Sequence, residues 1–156
     1  MKDPRLNIRR TNPNESEILT AIAVESEAHW GGSPEFLASF RELYHVTASF
    51  IEENPTFLLE EDGEVVGFYG IVAGEGVAEL EYLYVKACCI GKGYGRILWE
   101  HIEGQCRELG IQQLEFVTSP EAKNFYTKMG AAELSMVESI VQKGRMIPKL
   151  RYTIRK

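Results

Sequence analysis

Residues 79–96 read ELEYLYVKACCIGKGYGR, and the rest of the chain is arranged around them. ELEYLYV alternates in the manner of a half-buried strand, KACCI is a short loop, and GKGYGR leads into a helical pattern that runs to Leu109. Gly91, Gly93 and Gly95 leave main-chain N–H groups uncovered by side chains just where a helix begins, and the first four amides of a helix lack intrahelical partners. Aligned peptide dipoles add roughly half a positive charge at that end. The stretch therefore predicts an anion cradle for a phosphate or pyrophosphate, made of main chain.

Two familiar phosphate loops fail on spacing. A dinucleotide-binding turn needs G-x-G-x-x-G, but Arg96 stands where the third Gly is required. A Walker loop needs Ser or Thr after GK, and Gly93 follows Lys92.

With 156 residues the chain is expected to form one domain, 1–156, large enough to bury about two-thirds of its unfolded surface. An apolar content of 44% excludes a disordered chain, and no apolar run approaches the ~18 residues of a membrane span. MKDPRLNIRR carries no apolar signal core, so a cytoplasmic protein is expected. A net charge of −6 with scattered Lys and Arg argues against nucleic acid and slightly favours cationic partners such as amines. Cys88 and Cys89 are adjacent, a poor geometry for pairing with each other, and Cys106 falls on an apolar helical stripe; neither a disulfide framework nor a metal site is expected.

Before the central stretch, Leu6 to Arg10 reads as a strand. Asn12, Pro13 and Glu15 open a helix with Ile18, Ala21 and Ile22 on its inner side. Ser33 and Pro34 open a second helix beyond a Trp-Gly-Gly corner. TFLLEE, the turn Asp62-Gly63 and EVVGFYGIVA form a hairpin, and the strand 77–85 extends it as a meander. Along 77–85, Glu79, Glu81, Leu83 and Val85 are expected on one face and Leu80, Tyr82 and Tyr84 on the other. A helix to Gly110 and the strand IQQLEFVT complete a β-α-β crossover, so the two strands should be parallel. Ser119-Pro120-Glu121 opens another helix, and the chain ends in a hairpin whose last strand Pro148 should confine to an edge or a bulge.

Residues Ile90 to Gly95 resemble the pyrophosphate loop Q/R-x-x-G-x-G/A of the GCN5-related N-acetyltransferase (GNAT) superfamily, with Ile90 in place of Gln or Arg. AKNFYTKMGA, from Ala122 to Ala131, is similar to that superfamily's A-x-x-x-Y-x-x-x-G-F, with Ala131 replacing the aromatic. The resemblance implies a mixed α/β (α+β) domain, with a mostly antiparallel central sheet, one parallel splayed strand pair and flanking helices. It implies an acyltransferase moving an acetyl group from acetyl-CoA to a primary amine of a small molecule by direct attack on the thioester. A non-catalytic acyl-CoA-binding module and a peptide or protein N-terminal acetyltransferase are the rival readings.

Carried onto this sequence, the resemblance gives the main chain of Ile90, Gly91, Lys92, Gly93, Tyr94, Gly95 and Arg96 to the pyrophosphate, and that of Leu83, Tyr84 and Val85 to the pantetheine arm. Tyr126 matches the tyrosine that protonates the thiolate, or is an interface aromatic. Glu79, eleven residues before Ile90, matches a catalytic carboxylate found in some members; where none exists, water serves. Glu81, two residues on and about 7 Å away on the same face, would raise the pKa of one of the pair if both were partly buried. Ser119 is either a cofactor contact or an N-cap, and Asn124 either reaches the cofactor or is exposed. Trp30 and Arg145 are candidates for acceptor contacts, the Arg for a carboxylate on the acceptor. An unpaired final strand would offer an edge for a homodimer.

Overall fold

The computed structural model describes residues 5–156. Its strands are β1 (Leu6–Arg10), β2 (Thr56–Glu61), β3 (Glu64–Ala73), β4 (Val77–Val85), β5 (Gln113–Val117), β6 (Ala132–Glu138) and β7 (Met146–Thr153). Its helices are α1 (Ser16–His29), α2 (Pro34–Tyr44), α3 (Ala48–Glu53), α4 (Tyr94–Glu108) and α5 (Lys123–Lys128). The strands form one sheet in the order β1-β2-β3-β4-β5-β7-β6. All neighbours are antiparallel except β4 and β5, which pair in parallel over Val77↔Gln113, Ala78↔Leu114 and Glu79↔Glu115 only. Beyond Glu79 these two strands part. This is the mixed architecture expected from the sequence, in a single domain.

Each face of the sheet has its own core. On one, Leu98, Trp99, Ile102 and Cys106 of α4 are fully buried with Tyr69, Ile71, Leu114 and Leu150. Complete burial of one such aliphatic side chain contributes about 1.5–3 kcal/mol. On the other, Leu19, Ile22 and Ala23 of α1, Phe40 of α2 and Ile51 of α3 cover Leu58, Phe68 and Tyr82. The buried stripe of α1 thus runs through Leu19, Ile22 and Ala23, whereas Ile18, expected inside, is 47% exposed. Helix α3 is absent from the sequence reading: six residues carry too little periodicity, although its cap is explicit, Thr47 Oγ1 accepting from Phe50 N at 3.0 Å.

The alternation expected along β4 does not hold. Gly70 pairs with Tyr82 but Ile71 with Leu80, so Glu81 is an extra residue, a β-bulge. The facing of the side chains flips there. Leu80 therefore shares the α4 side with Leu83 and Val85, while Tyr82 and Tyr84 face α1 and α2.

The last strand also departs from expectation. β7 lies between β5 and β6, and β6 takes the edge. Pro148 is accommodated because its carbonyl accepts from Thr118 N at 3.1 Å, just past the end of β5. N–H and C=O of one strand residue point to the same side, so the donor that proline lacks falls where β5 is already leaving the sheet.

Candidate active site

The parting of β4 and β5 opens a cleft of about 410 Å³. Glu79, Glu81, Leu83 and Tyr84 line it from β4, Phe116 and Val117 from β5, and Tyr126 from α5. Trp30, Phe36, Phe40 and Tyr44 close one side, and Ile140, Val141 and Arg145 of the β6–β7 turn another. A second cavity of about 300 Å³ adjoins it, sharing Glu27, Trp30, Phe36, Ser119 and Arg145.

The loop 90–96 has the glycine backbone conformation that its sequence predicts. Gly91 and Gly93 have φ of +89° and +86°, in the left-handed region where a side chain is strained. A Cβ on either would meet nothing within 4 Å, so the space in front of the loop is open. Gly93 caps α4, leaving the amides of Tyr94, Gly95 and Arg96 facing outward at the helix start. Gly95 has a different reason to be Gly: a Cβ there would come within 3.2 Å of the Phe125 ring. Tyr94 is buried, its hydroxyl donating to Glu61 and tying the start of α4 to the end of β2. The side chains of Lys92 and Arg96 are exposed, Arg96 reaching only Glu100 at 3.6 Å. What the loop presents to the open space in front of it is thus main chain. Past Glu79 the second edge of β4 has no strand beside it, so Leu83 to Val85 offer free main-chain groups to an extended ligand. An open cradle next to an open strand edge fits a pyrophosphate with an attached pantetheine arm.

A model of the acetyltransferase (GNAT) family matches residues 19–131, most of the chain. The chain belongs to the GNAT family. It is an acyltransferase, and acetyl-CoA is its donor. Among solved structures it is similar to the PaiA N-acetyltransferase of Thermoplasma acidophilum in complex with coenzyme A, at 21% identity and a TM-score of 0.81 over 95% of this chain and 98% of that one. N-acetylglutamate synthase from Neisseria gonorrhoeae, complexed with coenzyme A and N-acetyl-glutamate, matches at 20% identity and a TM-score of 0.72, over 99% of this chain and 36% of that one. The ribosomal-protein-S18-alanine N-acetyltransferase of Escherichia coli matches at 16% identity and a TM-score of 0.70, over 97% and 95%. These likenesses establish the shared fold. Among curated proteins, none matches the sequence.

Within this GNAT cleft Tyr126 is buried among aromatic rings. Tyr126 is only 8% exposed, its ring 4.5 Å from that of Phe116 and 5.1 Å from that of Phe125. Its hydroxyl has no hydrogen-bond partner among the described residues, and the residue lines the cleft. Burial, and after it the negative charge of Glu27, push its pKa far up, so the phenol stays protonated at neutral pH. Glu81 is half-buried at the bulge, and burial first, then Glu79, raises its pKa. Glu79 is exposed at the floor of the cleft, where β4 and β5 are still paired. Glu115, another carboxylate of the cleft, is held by Arg151 Nε at 2.9 Å and Lys149 at 3.6 Å, Arg151 being the chief cause of its lowered pKa.

The remaining candidates divide. Trp30 and Arg145 line both cavities, Arg145 lying 5.8 Å over the Phe36 ring and 3.7 Å from Glu121. Ser119 lines both as well, and its Oγ also accepts from Ala122 N at 3.3 Å, starting the turn into α5. Asn124 is exposed on α5 and does not line the cleft. Cys88 and Cys89 are free thiols with their sulfurs 3.5 Å apart, outside the cleft lining. Sequence reasoning missed Glu27, whose carboxylate accepts from the Tyr84 hydroxyl at 3.1 Å. A signal existed: Leu19, Ala23 and Glu27 are spaced i, i+4, i+8, which puts an acid on the buried stripe of α1. Among the described residues, no helix is long and apolar enough to cross a membrane.

Proposed function

We propose that this GNAT enzyme acetylates the primary amine of a small molecule, such as an amino acid or polyamine, by direct attack on the thioester. The observation that carries this reading is Tyr126, whose hydroxyl has no hydrogen-bond partner among the described residues, lining a cleft of about 410 Å³ whose acids Glu79 and Glu81 form no ion pair among those residues. Such a volume suits a small acceptor, and ionised carboxylates favour an ammonium group over an anion.

Acetyl-CoA, when bound, supplies an activated acyl carbonyl and a thiolate leaving group. The main chain of Ile90 to Arg96 holds its pyrophosphate, and the open edge of Leu83 to Val85 aligns its arm. Tyr126 donates a proton to the departing sulfur. A cleft carboxylate, or a water it holds, relieves the incoming ammonium of a proton; Glu79 is the residue that the sequence offers. Trp30 and Glu81 bound the acceptor, and Arg145 meets a carboxylate on acceptors that carry one.

The test is acetylation of lysine, spermidine and dialanine, with CoA release followed by chromatography. Turnover of at least one, with kcat lowered about 10- to 100-fold in Tyr126→Phe at unchanged CoA affinity, supports the reading. Tight CoA binding without turnover of any amine would support the non-catalytic alternative instead.

A further inference from the structure

The geometry points to Glu27 of α1 as the carboxylate that takes the proton from the attacking amine, with Tyr84 positioning it. This inference rests on the transfer reading above and names a residue that no motif supplies.

Among the described residues Glu27 is the one carboxylate that lines both cavities, so it stands where the 410 Å³ cleft and its 300 Å³ neighbour meet. Its orientation is fixed. The Tyr84 hydroxyl donates to Oε1 at 3.1 Å, and the Tyr84 ring is wedged between Phe40 at 6.1 Å and Phe68 at 6.0 Å. Tyr84 belongs to the stretch of β4 whose free edge faces the donor's arm, so one side chain ties the carboxylate to the strand that aligns the thioester. No cation lies within ion-pair distance of Glu27 among the described residues, and the guanidinium of Arg145 is engaged by Glu121 at 3.7 Å. The carboxylate can therefore accept an ammonium.

The β4 acids are less well placed. Glu79 sits beside Glu115 on the paired floor, below the parting of the strands, and its side chain is exposed. Glu81 belongs to the bulge. Tyr126, the proposed acid, feels the negative charge of Glu27. The titratable groups around Glu27 are Tyr84 from β4, Tyr44 from α2, Tyr126 from α5, Arg145 from the β6–β7 turn and Glu121 from the segment before α5. Burial is the largest influence and raises the Glu27 pKa; the Tyr84 hydrogen bond and Arg145 act in the opposite sense, and Glu121 adds to the rise. A carboxylate moved upward in this way is a better base near neutrality.

The step balances. One ammonium proton passes to Glu27, and the freed nitrogen pair forms the N–C bond. The C–S bond breaks with its electron pair on sulfur, which takes the Tyr126 proton. The second nitrogen proton returns to the Tyr126 oxygen, and Glu27 releases its proton to solvent. The products are the acetamide and the CoA thiol.

The test is the pH dependence of kcat at saturating amine, using whichever of lysine, spermidine and dialanine is turned over best, together with ¹³C NMR titration of the Glu27 side-chain carboxyl in the free protein. Glu27→Gln should lower kcat about 10²-fold and abolish the acidic limb of the profile. Tyr84→Phe keeps the carboxylate but removes a donor that favours its ionised form, so both the limb and the NMR titration should move to higher pH. A limb that persists in Glu27→Gln, or that vanishes in Glu79→Gln instead, overturns Glu27 while leaving acetyl transfer standing. So does a Glu27 titration that ignores Tyr84→Phe. Wild-type protein that binds acetyl-CoA and acetylates none of the three amines overturns both readings.

Discussion

The two walls of the cleft are made of different material. The proposed donor wall, from Leu83 to Arg96, meets the cleft at Leu83 and Tyr84, is continuous in sequence and presents main chain. The proposed acceptor wall is assembled from α1, α2, the bulge of β4 and the β6–β7 turn, and presents side chains. A main-chain site is specified by where side chains are absent, which a short glycine pattern can encode. A side-chain site is specified by which remote segments meet, which only the folded sheet decides.

The largest effect should break the donor wall alone. Gly93→Asp places a carboxylate before the cradle, in a residue at φ +86° with open space around it. CoA affinity should fall by on the order of 10²-fold or more in calorimetry, while fold and far-UV spectrum persist, since the strain of one non-Gly left-handed residue is about 1–2 kcal/mol. Gly95→Val tests the other duty of the same loop. Its side chain would strike Phe125, and overpacking should cost about 1–3 kcal/mol in a denaturation titration. On the acceptor wall, Arg145→Gln should raise the KM of a carboxylate-bearing amine by about 10-fold and leave the Kd of CoA within a factor of two. An equal change in both would mean that the walls are not independent.

The smallest effect concerns a pair remote from both walls. Glu15 accepts from Arg9 at 2.8 Å and 2.9 Å, and Arg9 is the chief cause of its lowered pKa. A depressed carboxyl contributes stability above its unfolded pKa and loses it as pH falls through the folded value. Glu15→Gln should therefore cost less than about 1 kcal/mol at neutral pH, and the gap to wild type should close in acid. Kinetics should be unaffected.

What was legible in the sequence follows the same division. Gly91, Gly93, the Asp62-Gly63 turn and the crossover ending at Gly110 could be read because each is a local demand on the backbone, met by residues that tolerate positive φ. The bulge at Glu81 could not, because it exists only in the register of β4 against β3. Reading β4 as an unbroken alternation put Leu80 with the tyrosines, on the wrong face. The interior place of β7 was hidden by a sound local rule about Pro148, whose exception arises from where β5 happens to end. Glu27 was passed over because an acid in a helix reads as solvent-facing until the neighbouring Ala23 and Ser26 are known to be buried.

The extra residue in β4 has a final consequence. A strand sorts its side chains by parity, odd to one side and even to the other, and one inserted residue reverses the assignment for all that follow. Were Glu81 drawn into regular pairing instead of bulging, with no letter of the sequence changed, every residue from Tyr82 to Val85 would change sides. The phenols would be driven into the aliphatic layer beneath α4, and Leu83 and Val85 would face α1 and α2. The tether on Glu27 would be lost with them. Deleting Glu81 would instead make Leu80 and Tyr82 ordinary neighbours on opposite faces and leave those side chains where they are.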